Sequence, residues 1–251
     1  MDKLGEIKYN NFGSNMEIIE YNSYSNITIL FPKYGWTCKN RYDHFKNGEI
    51  KCPYEPRYYN KGYLGEGKYN IKNGKSFNQC YIIWQNMLKR CYDKELHLKE
   101  KTYEKCEVCE EWLCFQNFAE WYEDNFYQVS NEKMQLDKDI LYKGNKVYSP
   151  KTCVFVPQRI NKLFTKNDKS RGEYPIGLSY DRSRNKIAVQ CNDGVSVKKI
   201  GRFNTNQIQE AFQLYKEYKE RVIKEVADEY KFYIPKELYE AMYRYEVEID
   251  D

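Results

Sequence analysis

The residues with the plainest chemical potential are a cysteine pair and a run of cations. Cys106 and Cys109 stand in a C-x-x-C spacing, which supplies half of a tetrahedral zinc site. Cys91, Cys114, Cys153 or His97 would have to complete it, and no second closely spaced pair exists. Buried thiols are therefore favoured over zinc. The nine cysteines cannot all pair within the chain, which fits free thiols in a reducing compartment. Only two histidines, His44 and His97, are present to serve as an imidazole base. Taken alone, Asp137 and Asp139 also fit solvated strand residues. Arg182, Arg184, Lys186, Lys198, Lys199 and Arg202 crowd into a stretch that is strongly basic from 162 to 202, although the net charge of the chain is only +4. Arginine pairs bidentately with guanine edges and lysine mainly contacts phosphates, so such a cluster suits DNA. An ordinary solvated face fits the same charges.

The elements that must hold these groups follow from periodicity. Alternation at 16–21 and 27–31 predicts short strands, and 48–51 reads as a last strand of a small β module over 1–57. Lys39, Arg41, Lys46 and Lys51 make that module compatible with phosphate contact; a DNA-contacting accessory, a protein-docking module and a structural cap all fit it. A Gly-, Tyr- and Lys-rich linker covers 58–76. Its glycines lack the strand-plus-helix setting of a phosphate loop, so it reads as a segment lying along another surface. Ser76 is the expected cap of a helix whose buried stripe is Cys80, Trp84, Met87, Leu88 and Cys91. A polar loop over 93–105 leads to a second helix over 115–125. Strands are expected over 136–141 and 153–156, with Pro157 opening a helix that carries Ile160, Asn161, Leu163 and Phe164. After a basic linker at 165–172, strands are expected over 176–181, 186–191 and 195–200, with Asn192-Asp193-Gly194 as a hairpin turn. Thr205 is the expected cap of a long helix to about 230, whose apolar stripe is Ile208, Ala211, Phe212, Tyr215, Val222 and Val226. Its Lys216, Lys219, Glu220, Lys224 and Glu225 read as a solvated, ion-paired face. An acidic tail spans 232–251. The fold class is α+β and multi-domain. No apolar run approaches a membrane span, and the polar N-terminus has no signal-peptide pattern, so the expected location is the cytoplasm.

Between 81 and 164 a set of words occurs in a fixed order. Trp84, Met87 and Arg90-Cys91-Tyr92 open it, and Val108-Cys109-Glu110-Glu111-Trp112 and Phe115-Gln116-Asn117-Phe118 follow. Leu136-Asp137-Lys138-Asp139, Gly144-Asn145 and Tyr148-Ser149-Pro150-Lys151-Thr152-Cys153 complete it. This region resembles the phage-type HNH (His-Asn-His) homing endonucleases. The resemblance implies a ββα-metal unit over 77–165 with flanking helices, holding Mg²⁺ or Mn²⁺ over a scissile phosphate while a histidine activates water. It puts Asp137 and Asn161 at the metal positions and makes Asp137, Lys138 and Asn161 the catalytic set. Lys138 stands where that family has its general-base histidine, and Thr152 where it has its central, structural asparagine. A lysine at its ordinary pKa of about 10.4 is protonated at neutral pH and cannot accept a proton, although it can contact a phosphate.

The segment 172–231 carries Tyr174-Pro175-Ile176-Gly177-Leu178, Lys186-Ile187-Ala188-Val189, Ile200-Gly201-Arg202-Phe203, Glu210-Ala211-Phe212 and Tyr215-Lys216. It resembles the ethylene-response-factor type of DNA-binding domain, a three-stranded sheet packed on one helix. The implied partner is double-stranded DNA, read in the major groove by the six cations named above. The two resemblances together imply a phage-encoded, HNH-derived DNA-binding protein in a bacterial host. One alternative is a catalytically inactive regulator or inhibitor that binds a host nucleic-acid-guided protein complex, which the missing histidine favours. Another is RNA binding, for which 26 tyrosines offer stacking surfaces.

Overall fold

The computed structural model describes residues 3–165 and 173–251. Of the basic linker expected at 165–172, residues 166–172 lie outside the described residues. The fold is mixed α and β with several separate sheets, and the chain divides into two compact units, Met1–Asp124 and Asn125–Asp251. No helix among the described residues is long and apolar enough to cross a membrane.

The first unit begins with a four-stranded antiparallel sheet of β1 (Ile7–Tyr9), β2 (Asn15–Ser23), β3 (Asn26–Phe31) and β4 (Trp36–Asn40). Alternation sends Met16, Ile18, Ile27, Ile29 and Phe31 to one face, where they bury against Phe45, Ile50 and Cys52. Helix α1 (Tyr42–Asn47) ends on Gly48 in the left-handed region, whose N–H returns to the His44 and Phe45 carbonyls. That cap replaces the strand expected over 48–51. Among the module's cations, Arg41 is forked onto Asp43 and Lys51 lies over the Phe12 ring at 5.1 Å.

The segment 58–76 packs as an extended strap. Tyr63 N–H donates to Leu113 O, and Phe115 N–H donates to Tyr63 O, both at 2.9 Å. Gly62 is needed for that approach, since a Cβ there would lie 2.4 Å from Leu88 Cδ1. A small hairpin, β5 (Lys72–Asn73) and β6 (Ser76–Phe77), absorbs Ser76. The cap of α2 (Gln79–Tyr92) is Asn78 instead, whose side chain accepts the Tyr81 N–H. The predicted stripe of α2 is buried, and Trp84 Nε1 donates to Trp112 O at 2.8 Å. The loop expected over 93–105 contains α3 (Lys94–Lys99), capped by Asp93. Short strand β7 (Glu107–Val108), α4 (Glu110–Leu113) and α5 (Phe115–Asn125) complete the unit.

In the second unit, β8 (Met134–Asp137) pairs antiparallel with β10 (Val154–Pro157), placing Asp137 opposite Val154. The short β9 (Val147–Tyr148) lies in the connection between them, and α6 (Gln158–Phe164) follows directly. A three-stranded antiparallel sheet then runs β11 (Leu178–Asp181), β12 (Lys186–Asn192) and β13 (Val197–Phe203). Its inner face, with Leu178, Ile187, Val189 and Cys191, packs on Ala211, Phe212 and Tyr215 of α7 (Ile208–Tyr230). Gln207, not Thr205, precedes the first turn of α7.

The acidic segment 232–251 is folded. Its helix α8 (Lys236–Arg244) buries Leu238, Ala241 and Met242, and Val247 reaches the core of the sheet and α7. Several contacts join the two parts of this unit. Arg159 Nη2 donates to Glu229 Oε1 at 3.2 Å, and Lys143 Nζ bonds Glu248 at 3.0 Å and Asp251 at 2.8 Å. Phe164 and Tyr245 meet edge to face at 4.8 Å.

Candidate functional site

Asp137 is the last residue of β8. Its Oδ1 accepts the backbone N–H groups of Asp139 at 2.9 Å and Ile140 at 2.7 Å. This side-chain turn ends the strand at Asp137 instead of carrying it on to 141. Burial, and then the neighbouring Asp139 charge, push the Asp137 carboxyl up to about 6, with the two backbone donors pulling the other way. The folded protein thus binds this proton more readily than the unfolded chain does. It gains stability as pH falls through about 6 and carries the full cost of the charge at pH 7. Asp137→Asn is therefore expected to stabilise the protein by about 1–2 kcal/mol at pH 7 and by less at pH 5. Urea titrations of both proteins in EDTA measure this, and an equal gain at the two pH values would rule it out.

Lys138 is 7 % exposed. Its Nζ lies 3.1 Å from Asp139 Oδ2 and 5.8 Å from the centre of the Tyr148 ring. The head is thus spent inside the fold on a carboxylate and an aromatic face. Thr152 Oγ1 donates to Val147 O at 2.8 Å and lies 2.8 Å from Ser149 Oγ. Asn145 Nδ2 donates to Lys138 O at 2.6 Å and to Val147 O at 2.8 Å. Together Thr152 and Asn145 pin the connection between β8 and β10. Asn145 is expected from the sequence as part of a turn after Gly144; its side-chain bonds to Lys138 O and Val147 O are what the sequence did not show.

Asn161 comes from the first turns of α6 and donates its amide to Gln135 Oε1. Gln135 and Asp137 share one face of β8, because alternate residues of a strand point the same way. One carboxylate and one amide oxygen suit Mg²⁺ or Mn²⁺, which keep most of their water and take further ligands from phosphate. Among the described residues no group of three or more His, Cys, Asp or Glu gathers, so a cation here would have no closed protein cage. Cys106 is buried with its Sγ toward Thr102 O, and burial pushes the Cys109 thiol up. Both histidines belong to the first unit and are engaged locally, His44 Nδ1 with Asn40 Oδ1 and His97 Nε2 with Arg90 O, each at 2.8 Å.

The second constellation is the outer face of the three-stranded sheet. Register places Ala188 opposite Arg202, Gln190 opposite Lys199, and Asp181 opposite Lys186. Directly opposed residues point to the same side, so Lys186, Lys199 and Arg202 share the face turned away from α7. A shallow groove of about 530 Å³ runs along it, with Arg184 at its side. Asp181 lies in this groove, 3.2 Å from Arg184 and 3.9 Å from Arg202. Hydrogen bonds from Ser183 and then Arg184 hold its carboxyl below the usual range. Arg182 is exposed in the turn between β11 and β12.

Lys198 departs from this group. A bulge opposite Val189 and Gln190 sets Ile200 aside and pairs Lys198 with Cys191, whose side chain faces the core. Lys198 therefore belongs to the α7 side of the sheet, where it meets Asp193 at 3.6 Å. Lys219 also differs from its expected solvated face. It is buried on α7, while Lys216 and Glu220 make the anticipated helical pair at 2.9 Å. Comparison with known proteins finds no match to this chain among family models, curated proteins or solved structures.

Proposed function

We propose that this chain is an HNH-derived protein that binds duplex DNA through the outer face of its three-stranded sheet and does not cleave it. The observation that carries the reading is the convergence of Lys186, Lys199, Arg202 and Arg184 on one exposed strand face, with Asp181 holding the two arginines in place. A twisted, cation-bearing sheet face can enter a major groove, where base edges are distinguishable, while lysines at its border contact phosphates. The resemblance of 172–231 to the ethylene-response-factor type supports the same use.

The HNH-like part contributes scaffold and phosphate-facing chemistry. Mg²⁺ or Mn²⁺, when bound, would be held by Asp137 and Asn161 and would neutralise charge on a nearby phosphate. Water activation has no imidazole to carry it in this part. The segment 125–251 contains no histidine, and Lys138 is a buried cation committed to Asp139. Supercoiled plasmid incubated with the protein and Mg²⁺ or Mn²⁺ is expected to stay supercoiled. A labelled duplex should bind with an affinity that falls steeply with salt, in EDTA as well. Nicking that disappears in Asp137→Ala would overturn the non-cleaving reading and make the chain a nickase.

A further inference from the structure

Lys219 presents an electrostatic deficit that nothing above uses. It lies on α7 with its side chain enclosed, 5 % exposed, and its Nζ donates to Asn192 O at 2.8 Å. An ammonium has three N–H donors, and burying a charge without an opposite charge is costly. The acids around it are already engaged. Asp193 accepts the backbone N–H groups of Val195 and Ser196 at 2.9 and 2.7 Å and faces Lys198 at 3.6 Å. Asp251 bonds Lys143 Nζ at 2.8 Å and the Glu248 N–H at 2.9 Å. Glu220 pairs with Lys216 at 2.9 Å. No carboxylate among the described residues lies within ion-pair range of Lys219, and burial pulls its pKa down accordingly.

Lys219 and Asn192 form part of the wall of a cavity of about 440 Å³. The rest of the wall mixes apolar residues, including Ile176, Val197, Tyr245 and Val247, with Thr165, Ser179, Gln190 and Asp251. The volume lies in the range of small-molecule sites, and such sites typically pair apolar walls with a few fixed polar groups. Lys219 is the one cation among the described lining residues, and the Asp251 carboxylate is already held by Lys143, so the wall suits a ligand with an apolar body and one anionic end.

We propose that this cavity binds a small organic acid, with its anionic group on Lys219 and its hydrocarbon part against the Val197, Tyr245 and Val247 wall. The anionic group is a carboxylate or a phosphate monoester, which have the same chemistry toward an ammonium. This assignment does not rest on DNA recognition: Lys219 is no part of the outer face, although Ser179 and Gln190 line both the cavity and the groove there.

Equilibrium dialysis of the full chain against benzoate, phenyl phosphate, benzyl alcohol and benzylamine tests it. The four share a ring and differ in charge. Saturable binding of one benzoate or one phenyl phosphate per chain is expected, at least tenfold tighter than benzyl alcohol, with benzylamine excluded. The tighter of the two anions identifies the headgroup. Lys219→Met keeps the volume, removes the charge, and should cost the anion at least tenfold while leaving benzyl alcohol unchanged. Equal binding of benzoate and benzyl alcohol, saturable binding of neither anion, or full anion binding by a folded Lys219→Met protein would each overturn the proposal. Should the variant fail to fold, the charge series on the unaltered protein decides alone.

Discussion

Replacing Lys199 and Arg202 together by alanine is expected to weaken duplex binding by about a hundredfold, by analogy with the roughly 1–3 kcal/mol attached to a base-reading arginine and the lesser cost of a phosphate contact. The two side chains share the outer face, opposite Gln190 and Ala188, and both line its groove. The slope of log affinity against log salt should fall by about one for each of them that contacts phosphate. Lys198→Ala provides the contrast. Lys198 is adjacent in sequence but points to the α7 side and pairs with Asp193, so its loss should change affinity less than about threefold. Fluorescence anisotropy on a labelled duplex at several salt concentrations reads all of these. A Lys198→Ala effect as large as that of the double variant would reject the outer face as the reading surface.

Gly177→Ala is expected to destabilise the protein by about 2–5 kcal/mol, the sum of left-handed backbone strain and overpacking. Gly177 has φ +81°, where only glycine is at ease, and a Cβ there would stand 2.1 Å from Tyr215 Cδ2. Tyr215 is enclosed in the core between the sheet and α7, so its ring has little room to swing aside. Gly177 O also accepts the Gln190 N–H at 2.8 Å, which ties the approach to β11 to the part of β12 that faces the bulge of β13. Urea unfolding followed by circular dichroism should show an earlier midpoint, with duplex binding lost over the same range. A midpoint within error of the parent would mean that Tyr215 is not a fixed wall.

Apolar spacing made much of this fold legible. The stripe Cys80, Trp84, Met87, Leu88 and Cys91 required a helix, and the alternation at Met16–Ile18 and Ile27–Phe31 required strands, because these patterns leave one face to bury. What escaped was polar and local. Ser76 and Thr205 looked like helix caps, but the side chain of Asn78 accepts the free N–H of the first helix, and the second begins after Gln207 with no side-chain cap at all. Asp137 looked like a mid-strand residue until its carboxylate turned back onto the two N–H groups ahead of it. Lys219 read as solvent-facing because helical charge patterns say nothing of what packs over them, and here Asn192 does. At the candidate metal position, sequence order indicated Asp137 and Asn161. It held no sign that Lys138 would be buried against Asp139 and Tyr148, which depends on contacts formed only when the connection folds over.

The bulge beside Val189 and Gln190 also bears on how such a surface can change over generations. In an unbroken ladder, stepping back from Gly201 would turn Ile200 outward and Lys199 inward; the one extra residue reverses that parity. Closing the bulge with every residue kept, so that Ile200 pairs with Gln190, would therefore exchange which lysine is displayed, without altering the composition of the strand. Point substitution tunes such a face one side chain at a time. A one-residue frame shift within β13 re-deals the displayed set at a stroke, and the inner apolar partners on β12 remain to hold the sheet together. Strand parity at this bulge is a heritable variable in its own right, and chains nearly identical by alignment could differ there in the sequences they prefer.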